Sequence, residues 1–143
     1  MTRWRLPIIF LVFLAVMAAG CSGNVKKPTE DSLIAMEALD MVEGLRAAFE
    51  KRDFSSMARY CTRDAYKGIT EGLKSFDSAE LKFTPKWIEI NRDGDAVEML
   101  VAWKGTWKTG ELSTQKDGTV LFSIGGDPLK VREITRFSPF SQP

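Results

Sequence analysis

Residues 81–108 read LKFTPKWIEINRDGDAVEMLVAWKGTWK, and their alternating pattern is the main indication of the fold. Apolar and polar side chains alternate on both sides of Asp93-Gly94, a pair typical of the tight type I′ turn between antiparallel strands. The pattern therefore predicts a β-hairpin with strands at 81–91 and 95–108. Because the turn fixes the register, we expect three cross-strand pairs: Ile90 with Val97, Ile88 with Met99, and Lys86 with Val101.

The two faces of this hairpin differ in chemistry. One face is apolar. The opposite face carries Trp87 and places Glu89 directly across from Glu98. Alternation of this kind is typical of a strand with one face on the core and one in water. The apolar face of the second strand carries five large side chains: Val97, Met99, Val101, Trp103 and, past Gly105, Trp107.

The rest of the chain completes an α+β pattern. Residues 119–124 and 129–137 alternate in the same way and predict two more strands, with a turn or bulge at Asp117-Gly118. Upstream, apolar residues recur at helical spacing from Thr29 to Arg52, and shorter helical segments follow as far as Phe76. The predicted fold class is therefore α+β, with one long N-terminal helix and short helices packed on a curved antiparallel sheet of about four strands.

The first residues predict where the protein works. A basic start at 1–5 and an apolar run at 6–19 are typical of a secretory signal, and the run is shorter than the ~20 residues that span a bilayer. The sequence Ala18-Ala19-Gly20-Cys21 resembles the lipobox of bacterial lipoproteins. This resemblance implies cleavage before Cys21, acylation of its thiol and new amino group, and attachment to a membrane of the bacterial cell envelope. Ser22, in place of Asp, implies the outer membrane, facing the periplasm.

These signals divide the chain into four segments. We expect a signal peptide at 1–20, the acylated Cys21 and a flexible tether at 21–28, a folded domain at 29–138, and a C-terminal tail at 139–143. Cleavage leaves about 120 residues, which is enough for one modest domain with its own core.

Composition excludes several classes of function. The chain contains no histidine, so Ser-His-Asp and Cys-His catalysis and His-ligated metal sites are excluded. The 20 Lys and Arg residues nearly balance the 19 Asp and Glu residues, whereas nucleic-acid binding needs a clustered basic excess. Acylation of Cys21 leaves Cys61 without an intramolecular partner, and we expect Cys61 to be buried. We therefore expect no metal, no cofactor and no nucleic-acid partner.

Two segments carry a further resemblance. Residues 44–62, GLRAAFEKRDFSSMARYCT, and residues 126–134, GDPLKVREI, resemble the opening and closing patterns of the nuclear transport factor 2-like superfamily, also called ketosteroid isomerase-like or cystatin-like. The resemblance implies a long helix across the concave face of the sheet, with a conical pocket between them. Enzymes of that superfamily line the pocket with an acid–base set, commonly Asp with Tyr or His. This chain has no His and no Tyr before Tyr60, so we carry no catalytic residue over.

Apolar side chains are candidates to line such a pocket. An apolar stripe is also what a core under the first helix requires, and both interpretations fit the pattern. Because Trp is rarely buried completely and its indole N–H needs a partner, one Trp is expected at the pocket mouth. The pocket candidates are Phe49, Met99, Val101, Trp103 and Trp107.

Tyr60, Asp64 and Tyr66 form the candidate acid–base group. They lie on the short helices, which in this superfamily rim the open end of the cone. A buried Asp with a raised pKa beside a Tyr could donate and accept protons. The structural alternative makes Asp64 a first-turn helix carboxylate behind a Thr62 cap, with Tyr60 packed and its hydroxyl in water.

Three functional hypotheses follow. The first is a lipid-anchored envelope protein whose non-catalytic domain binds a small apolar molecule or a partner protein. The second is a non-metal acid–base enzyme, an isomerase, dehydratase or hydrolase, that uses Asp64 with Tyr60 or Tyr66. The third is a structural subunit of an envelope assembly, including a homodimer that pairs through the outer sheet face, where Trp87 and Glu89 lie.

Overall fold

In the computed structural model, residues 27–93 and 95–142 are described. They form three α-helices followed by a four-stranded antiparallel sheet, so the predicted α+β class and the predicted sheet are confirmed. The signal peptide and Cys21 lie outside the described residues, and so does Gly94 of the predicted turn. No helix within the described ranges is long and apolar enough to cross a membrane.

The helices come first in the chain. Helix α1 spans Glu30–Glu50, α2 spans Phe54–Tyr60, and α3 spans Arg63–Gly72, with a 3₁₀ turn at Leu73–Ser75. The Thr29 side chain caps α1 by accepting a hydrogen bond from the Ser32 N–H at 3.2 Å.

A Schellman arrangement ends α1. Arg52 takes a left-handed φ of 54°, the Asp53 N–H donates to the Ala48 carbonyl at 2.9 Å, and the Arg52 N–H donates to the Phe49 carbonyl at 3.1 Å. The Asp53 side chain then accepts from the Ser56 N–H at 3.0 Å and starts α2 as its N-cap.

The sheet has the strand order β1-β2-β3-β4, so each strand pairs with its neighbour in sequence. Its strands are β1 at Ser78–Asn91, β2 at Ala96–Thr109, β3 at Leu112–Gly125 and β4 at Lys130–Arg136. Helix α1 is fastened to the edge of β1, because Arg46 donates to the Leu81 carbonyl at 3.1 Å and Glu50 accepts from the Leu81 N–H at 2.5 Å.

The predicted hairpin register is confirmed near the turn and wrong beyond it. Ile90 pairs with Val97 and Ile88 with Met99, but Val101 pairs with Pro85 instead of Lys86. A β-bulge between Pro85 and Trp87 causes the shift. Proline has no N–H to donate to the ladder, and it is typically found on edge strands and at bulges.

Strand β3 is longer than the sequence predicted, because Asp117-Gly118 lies within it and makes no turn. A Cβ added at Gly118 would lie 2.5 Å from the Phe137 ring and 3.1 Å from the Trp103 ring. The glycine therefore makes room for two aromatic side chains that pack against the strand.

The core lies between the helices and one face of the sheet, here called the inner face. Buried residues of α1 pack on the inner residues of β2 and β3. The α1 contribution is Ala38, Met41, Val42, Leu45, Ala48 and Phe49, and the strand contribution is Val97, Met99, Val101, Trp103, Trp107, Val120, Phe122 and Ile124.

The chain end, set apart as a tail by the sequence prediction, packs into this core. A 3₁₀ turn at Pro139–Ser141 places Phe140 with only 1% of its surface exposed. The Phe140 ring lies 4.8 Å from that of Phe49 and 6.2 Å from that of Phe122, centroid to centroid. The folded unit thus includes residues 139–142, beyond the expected boundary at residue 138.

Candidate functional site

The central space between α1 and the sheet is filled by side chains. A surface depression of about 350 Å³ lies at the start of the helix, lined by Ile34 of α1 and by Ile90 and Val97 of the hairpin. All five residues proposed to line a pocket in the central space are at most 1% exposed, which places them in the core. Phe140 enters the same cluster from the chain end and closes it beside Phe49 and Phe83. These five residues are Phe49, Met99, Val101, Trp103 and Trp107, and the structure gives them the packing role.

The two buried tryptophans have different polar environments. Their rings meet edge to face with centroids 5.8 Å apart. The Trp103 indole N–H donates to the Phe137 carbonyl at 2.7 Å. Within the described part of the chain, the Trp107 indole N–H is buried without a hydrogen-bond partner. Neither Trp stands at a pocket mouth, since each is 1% exposed.

The structure does not assemble Tyr60, Asp64 and Tyr66 into an enclosed acid–base site. Asp64 is exposed in the first turn of α3, on a surface groove of about 430 Å³ that it shares with Arg132. Among the described residues, no hydrogen bond joins Asp64 to either tyrosine. The Tyr60 hydroxyl oxygen lies against α1, where a Cβ added at Gly44 would stand 2.7 Å from it. The missing side chain at Gly44 therefore leaves room for the Tyr60 ring against α1.

Cys61 is buried, as expected from the sequence. Burial raises the pKa of its thiol to about 12, with a small opposing effect from Lys130. A thiol with so high a pKa is a poor nucleophile and a poor metal ligand at neutral pH. Within residues 27–93 and 95–142, no group of three or more Cys, Asp or Glu side chains is placed to hold a metal ion.

The opposite face of the sheet, here called the outer face, carries ordered rows of side chains. Successive rows are two residues apart along each strand, and strand pairing sets which residues share a row. The acidic row contains Glu89 and Glu98, the apolar row Trp87, Leu100 and Leu121, the small row Thr84, Ala102 and Thr119, and the basic row Lys82 and Lys104 with Asp117.

Solvent reaches much of this outer face. Trp87 is 41% exposed, whereas Leu100, Ala102 and Leu121 are half-buried. Two surface depressions, of about 330 and 610 Å³, share Lys82, Lys104 and Asp117 in their lining. The surface of the outer face is therefore uneven: the large side chains of the apolar row lie beside a depression lined by residues of the small and basic rows.

Like charges stand directly opposite each other in two places on this face. Glu89 pairs with Glu98 at one end, and Lys82 pairs with Lys104 at the other. No ion pair involves any of these four side chains in the described part of the molecule, although Asp117 is the cross-strand neighbour of Lys104.

Sequence reasoning found only half of the outer-face pattern. The hairpin register predicted Glu89 opposite Glu98, and the structure confirms that pair. The same register, without the bulge, put Lys82 in line with the inner residues Ile88 and Ile90, so the basic row was missed. Pro85 was the available signal, because a proline in a strand pattern points to a bulge or an edge.

Comparison with known proteins gives no further guide to the site. No family model, no curated protein and no solved structure matches the chain.

Proposed function

We propose that the protein is a lipid-anchored component of the bacterial cell envelope, whose folded domain is a non-catalytic protein-binding module. The outer face of the sheet is its binding surface. The observation that carries this proposal is the uncovered outer face, where an exposed Trp87 lies between charged rows. Aromatic residues are enriched at protein–protein interfaces, with polar and charged groups around them.

A protein partner is favoured over a small molecule because of the packed interior. The conical pocket that a nuclear transport factor 2-like fold implies would have to lie between α1 and the inner face. That space holds Phe49, Trp103, Trp107 and Phe140, each at most 1% exposed.

We propose that the domain belongs to the nuclear transport factor 2-like superfamily. The order of the elements supports this proposal, because the helices come first and an antiparallel sheet packed on α1 follows.

The acid–base enzyme has less support than the binding module. Its candidate base, Asp64, is exposed to solvent, and no hydrogen bond among the described residues joins it to Tyr60 or Tyr66.

The proposed anchor is Cys21, and its support is the sequence. Residues 1–20 have the basic and apolar regions of a signal, and a small-residue site precedes the cysteine. Two or more acyl chains give stable membrane attachment where one chain gives only reversible binding. The module would then face the periplasm from the outer membrane.

Fractionation of a diderm bacterium that expresses the full chain tests the anchor. The wild-type protein should sediment with outer membranes at high salt and should incorporate labelled palmitate. Cys21→Ser should lose the label and the sedimentation. A Cys21→Ser variant that stays with the membrane at high salt would exclude the lipid anchor.

Photo-crosslinking in the same cells tests the binding surface. A photoreactive phenylalanine analogue is placed at Thr84 or Ala102 on the outer face, and at the exposed Ser55 on α2 as the matched control. We expect discrete protein adducts from the two outer positions and none from the control position. Absence of adducts from both outer positions would contradict a protein-binding role for this face.

A further inference from the structure

We infer that the protein on the outer face is a second copy of this chain, docked so that the acidic row of each copy meets the basic row of the other. This inference rests on the proposed protein-binding role of the outer face and is independent of the lipid anchor. It is carried by the register of the strands and by the charges on them.

Each protomer alone carries electrostatic repulsion on its outer face. Like charges directly opposite each other on neighbouring strands destabilise a sheet. The outer face has two such pairs, Glu89 with Glu98 and Lys82 with Lys104. Because the pairs have opposite signs, the surface that satisfies both of them must carry a basic pair and an acidic pair at the same spacing. The chain itself is such a surface.

The spacing of the rows is compatible with a two-fold symmetric pairing of two copies. The acidic and basic rows lie about 20 Å apart along β2, at ~3.4 Å per residue. Consider a two-fold axis that lies between two facing sheets and runs across the strands, midway between the apolar and small rows. This axis brings Glu98 onto Lys104 of the second copy, and Glu89 onto Lys82 of the second copy. Each contact occurs twice, as in every isologous interface.

The sizes of the outer-face side chains are also complementary in this arrangement. The same axis sets the apolar row of one copy against the small row of the other, so Leu100 meets Ala102 and Trp87 meets Thr84. The small and basic rows floor the depression of about 330 Å³, which gives the larger side chains of the second copy a place to enter. Large against small is the complementarity that close packing of two sheets requires.

Charge reversal on the full-length chain tests the inference. Two differently tagged copies are co-expressed, solubilised in mild detergent and purified through one tag. Wild-type copies should co-purify. Glu89→Lys with Glu98→Lys makes all four positions positive, and Lys82→Glu with Lys104→Glu makes them all negative. For either variant, the amount of second-tagged copy that co-purifies should fall by roughly tenfold or more, because like charges then face each other.

Mixing the two reversed variants separates charge from misfolding. The all-positive variant co-expressed with the all-negative variant should co-purify again, because opposite charges face each other in the mixed pair. The matched control reverses two exposed glutamates away from the outer face, Glu71→Lys with Glu111→Lys, and should co-purify as the wild type does.

Three results would overturn the inference: wild-type copies that do not co-purify, reversed variants that self-associate like the wild type, or a mixed pair that does not recover. If wild-type copies fail to co-purify while photo-crosslinks at Thr84 or Ala102 capture a different protein, the proposed function stands and the second copy is rejected. If neither experiment yields a protein contact, the proposed function fails as well.

Discussion

The inner and outer faces of the sheet are formed by the same alternating strands, but they differ in burial and in charge. On the inner face, Met99, Val101 and Phe122 have no exposed surface, and the chain supplies all of their packing. On the outer face, Trp87 stays exposed and like charges stand opposite each other. The chain itself therefore covers the inner face, whereas the like-charge pairs of the outer face remain accessible to solvent.

The packing of the inner face depends strongly on the chain end, where the Phe140 side chain closes it. Phe140→Ala should lower the free energy of unfolding by about 3–5 kcal/mol, the usual cost of removing a fully buried phenylalanine ring. Urea unfolding of the purified protein, followed by tryptophan fluorescence, measures this loss.

Phe54→Ala is the matched control for that prediction, since Phe54 is 48% exposed on α2. Its cost should stay below about 1 kcal/mol, because little apolar surface is lost. Equal costs for the two variants would mean that Phe140 does not close the core.

Two glycines in α3 test the packing of the chain end, because alanine at each should change stability in opposite directions. A Cβ at Gly72 would lie 1.9 Å from the Phe140 carbonyl oxygen, whereas a Cβ at Gly68 meets nothing within 4 Å. Gly72→Ala should therefore destabilise the protein by about 1–3 kcal/mol through overpacking. Gly68→Ala should stabilise it by up to about 1 kcal/mol through helix propensity. Thermal unfolding of both variants decides, and a stabilising Gly72→Ala would contradict the packing of the chain end.

Local patterns predicted most of the fold, and one local irregularity caused the main error. Alternation and the Asp93-Gly94 turn were enough for the hairpin, because strand periodicity and turn chemistry are properties of neighbouring residues. The bulge at Pro85 shifts the pairing by one residue, and a one-residue shift moves each side chain of β1 that precedes the bulge to the other face. It brings Leu81 into the core at 4% exposure and turns Lys82 outward, opposite Lys104.

The chain end was missed for a different physical reason. Residues 138–143 read SPFSQP, a polar segment with one aromatic side chain, and this pattern has no periodicity that would predict burial. Phe140 is buried by residues far away in the chain, such as Phe49 and Phe83. Contacts of this kind depend on the whole fold, so a single side chain in a polar segment gives no local signal of them.

The two core tryptophans of the inner face differ in the hydrogen bonding of their indole N–H groups. Trp103→Phe removes the donor to the Phe137 carbonyl, whereas Trp107→Phe removes an N–H that has no partner among the described residues. Both variants lose similar volume, so Trp103→Phe should cost about 1–2 kcal/mol more than Trp107→Phe, because a made hydrogen bond is lost. Urea unfolding of the two variants, followed by circular dichroism, measures the difference. Equal costs, or the reverse order, would contradict this assignment.

The smallest expected effect tests the cost on the outer face itself. Glu98→Lys turns the Glu89 pair into an opposite-charge pair, so the dilute, dissociated protein should gain about 0.2–1 kcal/mol of stability. Glu111→Lys, an exposed change outside the rows, is the matched control and should leave stability unchanged. The gain should vanish near 1 M salt, where the Debye length falls to about 3 Å. Since Glu98→Lys should also weaken association of the copies, one substitution would stabilise the protomer and destabilise the dimer. A loss of stability at low salt would show that the Glu89–Glu98 pair does not destabilise the protomer, and a second copy would then relieve no repulsion there.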